Sequence, residues 1–310
     1  MTNEFTFDSS RESGKGSGRK SCLVILLVIL GVSAALGGVL VGLYFFFGRD
    51  GWSPLGEGIG VVKIEGVISE SGPVVETLAR FRRDKKVKAV ILRVNSPGGG
   101  VAATQEIYRE ILRTRQEKKI IASMGSLAAS GGLYVASAAD KIIANPGTVT
   151  GSIGVIMQMV NIEQLLNKVG LSPVVIKSGR FKDAGSAFRT MTEEEKALLQ
   201  GIVEQLHQQF IRDLAQGRGL PLEKIKALAD GRIISGEEAK KLGLVDDLGN
   251  FEDALDLTQK TAGLTGRPRL IYPPRKESWW KELLSGKVTI AGWPDLGLPL
   301  TFQYLYLPGQ

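Results

Sequence analysis

"KAVILRVNSPGGGVAATQEIYREILRTRQEKKIIASM", residues 88–124, decides the fold. It opens with "KAVILRV" (88–94), which reads as a buried strand, and breaks at a Pro-Gly-Gly-Gly turn. A helix is expected over 101–116 and a second strand at "KIIASM" (119–124). Two strands joined through a helix imply a βαβ unit with a right-handed crossover and parallel pairing. The rhythm extends in both directions. "IGVVKIEGVI" (59–68) reads as a strand and 73–84 as a helix, while 131–139 reads as a short helix and "KIIAN" (141–145) as a strand. Strands alternating with helices place the chain in the α/β class with a mainly parallel sheet.

Further on, "GSIGVIMQMV" (151–160) and "SPVVIKSG" (172–179) are expected strands flanking a helix near 161–169. The longest helix should start at Thr192, which forms a capping box with Glu195. Leu199, Ile202, Leu206 and Phe210 then mark one face, and the helix should end near Gly217. Shorter helices are expected at 221–229, 236–242 and 251–262.

The chain of 310 residues has room for a large core. Between Lys20 and Arg49 it carries no charge, which exceeds the roughly 20 apolar residues that cross a bilayer. The apolar run is longer than the roughly 7–15 residues of a signal-peptide core, so a retained anchor is expected. Arg11, Lys15, Arg19 and Lys20 precede it, which keeps the N-terminus in the cytoplasm and sends the remainder outside. The expected organisation is a disordered tail (1–21), a transmembrane helix (22–48), a linker (49–58), a catalytic domain (59–271) and an arm rich in Pro and Trp (272–310). The arm would dock on a neighbouring subunit, rest at the membrane interface or form a tail. A net charge of +7 comes without any recognisable nucleic-acid module, and fits attraction to anionic lipid.

Composition also narrows the chemistry. One histidine and no CxxC or HExxH leave no zinc site of the usual kinds. A Ser-His-Asp triad would need His207, which lies inside the long helix and reads as a packed or surface residue. The only cysteine, Cys22, falls in the membrane span, so the outer domain has neither a disulfide nor a thiol nucleophile. Ser130, in "AASGGLY" (128–134), reads either as a helix N-cap or as a nucleophile whose small neighbours admit a substrate backbone. Its base would have to be a lysine freed of its proton, which lowers an ordinary pKa near 10.4 to about 7–8 at a cost of about 3–4 kcal/mol. Lys182 lies within the glycine- and serine-rich stretch "SGRFKDAGS" (178–186) and Lys177 just before it, and residue physics does not choose between them. "NSPGGG" (95–100), at the carboxyl end of a strand, is either a plain turn or a loop that turns N–H groups into a cleft.

Taken together, "RVNSPGGG" (93–100), "GSLAASGGLYVASAADKIIANPGTVTGSIGV" (125–155) and "SGRFKDAGS" (178–186) resemble the signal peptide peptidase A family of membrane-anchored serine-lysine proteases. That family lies within the Clp-protease/crotonase fold group, and the resemblance spans roughly residues 59 to 262. It implies Ser130 as nucleophile and Lys182 as general base, with Ser152 holding the lysine amine. The backbone N–H groups of Gly99 and Gly131 would form the oxyanion hole. No cofactor and no metal are implied. The substrates would be cleaved signal peptides at the outer face of the cytoplasmic membrane. The chain resembles the short single-repeat form, which implies a ring or dome homo-oligomer whose serine and lysine meet across neighbouring protomers. The rival readings are a crotonase-like acyl-CoA enzyme and a non-catalytic membrane scaffold.

Overall fold

The structure, a computed structural model, describes residues 17–43, 57–266, 268–274 and 303–305. The chain divides into two units, Met1–Leu55 and Gly56–Gln310. In the first, Ser17–Leu43 form helix α1, whose stretch Ile25–Gly42 has a mean hydropathy of 2.6 and no buried residue. Its 27 residues suffice to cross a bilayer, as the uncharged run predicts.

The second unit is built around an eight-stranded mixed sheet. Its centre is β1 (Gly58–Glu65), β2 (Val87–Ser96), β4 (Lys119–Ala128) and β5 (Lys141–Ala144), all paired in parallel. Between them run α2 (Gly72–Arg83), then β3 (Gly98–Gly100) followed directly by α3 (Val101–Arg115), and α4 (Gly131–Ser137). The 88–124 stretch therefore folds as the βαβ unit expected. Burial on both faces explains why β2 has an uninterrupted apolar run, since alternate residues serve opposite sides. Val90, Leu92 and Val94 join the larger core with Leu78, Phe81 and Ile107, whereas Ile91 packs with Ile59 and Leu255 on the other face.

Beyond β5 come β6 (Val149–Gly151), α5 (Glu163–Lys168), α6 (Glu193–Arg218), α7 (Leu222–Lys226), β7 (Ile233–Ser235) and α8 (Gly236–Leu242). They are followed by β8 (Asp247–Leu248), α9 (Phe251–Thr261), β9 (Arg269–Ile271) and, far along the chain, β10 (Gln303–Leu305). The capping box on α6 forms as read. Glu195 N donates to Thr192 Oγ1 (3.2 Å) and Thr192 N donates to Glu195 Oε2 (3.0 Å). Leu206 packs on the core and Phe210 is fully buried.

Two expected strands do not form. Of 151–160 only Gly151 lies in a strand, and no strand includes residues 172–179. Apart from a bridge at Ile156, the β-branched residues there join no strand among the described residues, and Val174 and Ile176 stand 87% and 97% exposed. Most of the 272–310 arm lies outside the described residues, but 303–305 return as β10, which pairs with β3.

Candidate active site

Two adjacent strand ends define the site. β2 and β4 end side by side, with Ser96 paired to Ala128, and each hands the chain to a glycine-rich turn. After β2, the hydroxyl of Ser96 donates to Gly66 O (2.6 Å) and accepts from Gly98 N (3.1 Å), which sets the direction of β3. Ile68 N donates to Gly98 O (2.8 Å) and Gly100 N donates to Ile68 O (2.9 Å). Gly99 bridges to Ile68 so closely that a Cβ there would stand 2.1 Å from Ile68 O, so only glycine fits. Successive residues of a strand turn their polar groups to opposite edges. Gly98 O and Gly100 N bond to Ile68, leaving the N–H and C=O of Gly99 on the far edge.

After β4 comes Ser130, at φ 53° and ψ −114°, a backbone conformation that L-residues avoid. It is pinned from both sides, as Ser130 N donates to Gly151 O (2.9 Å) and Tyr134 N donates to Ser130 O (2.9 Å). Ser130 occupies the N-cap position of α4, yet its side chain makes no capping bond. Its buried Oγ has no hydrogen-bond partner among the described residues. Backbone strain of about 1–3 kcal/mol and an unpaired buried hydroxyl at about 1–3 kcal/mol bring no structural return. A residue held at such a cost marks a functional position.

The neighbouring backbone completes the arrangement. Gly131 is the first residue of α4, so its N–H has no acceptor within the helix. A Cβ on Gly131 would lie 3.0 Å from Gly98 Cα and 3.2 Å from Gly99 N, which puts both expected oxyanion donors beside Ser130. An aromatic cluster fixes α4 behind them. Tyr134 packs 4.9 Å from both Tyr108 and Phe210, and its hydroxyl donates to Asp213. Burial, chiefly, pushes the Tyr108 hydroxyl up to about 12, so it stays a donor to Asp213 O (2.8 Å).

Ser152 is the second non-glycine residue with a positive φ (52°) among those described. Its N–H donates to Arg232 O (2.7 Å), and the preceding carbonyl, Gly151 O, holds Ser130 N. The structure thus gathers Ser130, Gly99, Gly131 and Ser152. His207, with a buried Nε2 that has no partner among the described residues, lines a cavity of about 420 Å³ that Ser152 also borders, together with Glu204 and Asp230.

Lys182 stands apart. Its amide donates to Gly179 O (3.1 Å) in a turn, its side chain is exposed, and its amine makes no bond to Ser130 Oγ within the chain. Lys177 is engaged elsewhere, donating to Arg180 O (3.1 Å) and pairing with Asp183. Hydrogen bonds from Arg189, then from Lys177, hold the Asp183 carboxyl well below the ordinary carboxylate range. Arg189 also binds Glu195, whose pKa it lowers to about 2, so the 177–189 loop is tied to the start of α6. Of the two candidate lysines, Lys182 is the one without an ion pair among the described residues.

Two contributors escape the sequence reading. The Ser96 hydroxyl aims the glycine strand, and Thr104 Oγ1, buried without a partner among the described residues, lies 3.0 Å from where a Gly131 Cβ would be. Only the placement of Ser96 just before Pro-Gly-Gly hinted at either.

Residues 113–265 match the family described as Peptidase family S49, and residues 63–150 match that described as Clp protease. The chain carries a Peptidase family S49 domain. The chain is 47% identical over 181 residues to a putative protease of Synechocystis sp., covering 58% of this chain and 65% of that protein. It is 39% identical over 220 residues to a putative signal peptide peptidase SppA of Enterococcus faecium (71% and 63%). It is also 32% identical over 248 residues to the chloroplastic serine protease SPPA of Arabidopsis thaliana (77% and 37%). The chain thus spans less than two-thirds of the length of these relatives.

Proposed function

We propose that the chain is a membrane-anchored serine endopeptidase that hydrolyses remnant signal peptides with Ser130 as nucleophile and Lys182 of a neighbouring copy as general base. The observation that carries this reading is Ser130 itself, strained, buried and with its Oγ unpaired, beside the backbone N–H groups of Gly99 and Gly131. In the reaction, the neutral amine of Lys182 takes the hydroxyl proton as Ser130 Oγ bonds to the scissile carbonyl. The two N–H groups receive the oxyanion, and the lysine passes the proton to the leaving amine. Water then enters by the reverse path and frees the serine. Ser152 holds the amine in place. A lysine in solvent is a poor base, and enclosure beside Ser130 by an adjoining copy supplies the desolvation that releases its proton.

Assembly has its own support. Val160, Leu165, Val169, Leu171, Val174 and Ile176 are each more than half exposed, an apolar surface that a second copy of the chain would cover. α1 would anchor the particle, with the basic N-terminus in the cytoplasm and the second unit on the outer face of the cytoplasmic membrane.

Complementation tests the reading. Ser130→Ala and Lys182→Ala should each abolish cleavage of a signal-peptide-like substrate, and co-assembly of the two inactive proteins should restore part of it. Activity surviving in either variant alone would refute the dyad, and failure of mixed particles to recover activity would refute its sharing between copies.

A further inference from the structure

The glycine strand is occupied on both edges. Ile68 takes one side of β3, and β10 pairs antiparallel on the other, with Gln303 opposite Gly100, Tyr304 opposite Gly99 and Leu305 opposite Gly98. β10 also packs against α3 and α4, and α4 starts one residue after Ser130. It therefore lies on the edge to which Gly99 turns its N–H and C=O. A substrate that places its scissile carbonyl against the Gly99 N–H has to lie on that same edge, and one N–H makes one good hydrogen bond. Strand and substrate exclude each other. With β10 in place Ser130 is only 1% exposed.

The chemistry of the occupant matches as well. From Leu296 to Gln310 the chain carries no charged side chain, so the segment seated on the edge belongs to the class of uncharged, largely apolar peptide that a signal-peptide protease would accept. Main-chain pairing supplies the affinity, as in other cases where a peptide adds a strand to an exposed edge.

We propose that residues 303–305 are a built-in substrate mimic, which closes the substrate edge of its own chain and keeps Ser130 latent until a peptide displaces it. This rests on the peptidase reading for its consequence, but the strand's occupancy can be measured without catalysis. A fluorescent peptide of residues 299–310 is titrated by anisotropy into two proteins carrying Ser130→Ala, one otherwise intact and one shortened after Pro299. The shortened protein should bind it about tenfold more tightly, because a tethered strand acts at a local concentration on the order of millimolar. Tyr304→Pro removes one ladder N–H without shortening the chain, and should behave like the truncation. In proteins with Ser130 intact, both changes should lower KM for an uncharged peptide about tenfold and leave kcat unchanged.

Equal binding of the labelled peptide by intact and shortened proteins would overturn the proposal. So would binding by neither, or hydrolysis of the intact chain within 303–305, which would make the segment a substrate. If the two proteins differ in binding but neither hydrolyses any peptide, the closing strand stands and the peptidase reading falls.

Discussion

Gly131→Ala tests the oxyanion hole without touching a titratable or nucleophilic group. Gly131 has an ordinary negative φ at the start of α4, so alanine is acceptable to the backbone and gains up to about 1 kcal/mol in helix propensity. The new Cβ, however, would sit 3.0 Å from Gly98 Cα, 3.0 Å from Thr104 Oγ1 and 3.2 Å from Gly99 N. Carbon atoms in contact prefer about 3.5–4.0 Å, so β3 has to recede by about 0.5 Å. A donor set at about 2.9 Å from an oxyanion would then stand near 3.4 Å, outside the range that stabilises it. Losing one such donor costs about 2.7–4 kcal/mol in the transition state, or a factor of about 10² to 10³ in kcat. Overpacking of about 1–3 kcal/mol, offset by the gain in propensity, should leave the protein folded. The assay is kcat and KM on a fluorogenic uncharged peptide, with a thermal melt alongside. Gly147→Ala, whose Cβ would meet nothing within 4 Å, serves as the control and should be neutral. A folded Gly131→Ala protein with undiminished kcat would show that the Gly99 and Gly131 N–H groups do not receive the developing charge.

Three other outcomes follow from particular contacts. Ile176→Asp should leave the melting temperature of the isolated second unit's fold unchanged, because the side chain is 97% exposed, but should break the assembly and with it peptide hydrolysis, read by sedimentation. Glu195 has its pKa lowered from 4.5 to about 2, so its contribution to stability is complete above pH 4.5 and is lost as the pH falls through 2. Glu195→Gln should therefore flatten the fall in melting temperature over that window, and parallel acid limbs in both proteins would contradict this. Thr192→Ala removes the α6 cap and should cost about 1 kcal/mol in urea unfolding with no change in kcat.

Where the causes of an element lie close together along the chain, the sequence foretold it. The βαβ unit, the Thr192 cap and the helix α6 that follows it are set by residues within a few turns of one another, and hydrophobic period and capping chemistry report such local causes, although of the expected face only Leu206 and Phe210 reach the core. The stretches expected as strands at 151–160 and 172–179 have strand composition but, beyond Gly151 and a bridge at Ile156, do not pair among the described residues, since pairing is a property of two segments and composition belongs to one. The site divides in the same way. Gly99, Gly131, Ser130 and Ser152 meet because two strand ends and one carbonyl, Gly151 O, hold them. Lys182 carries no such tether, and nothing among the described residues brings its amine to Ser130. The role proposed for it depends on a surface that a second copy would supply. β10 is the opposite case, where a partner within the chain was concealed because main-chain pairing on β3 asks little of side-chain identity. Any uncharged extended segment satisfies it, including a substrate, and the strand that closes the edge is therefore one a substrate can replace.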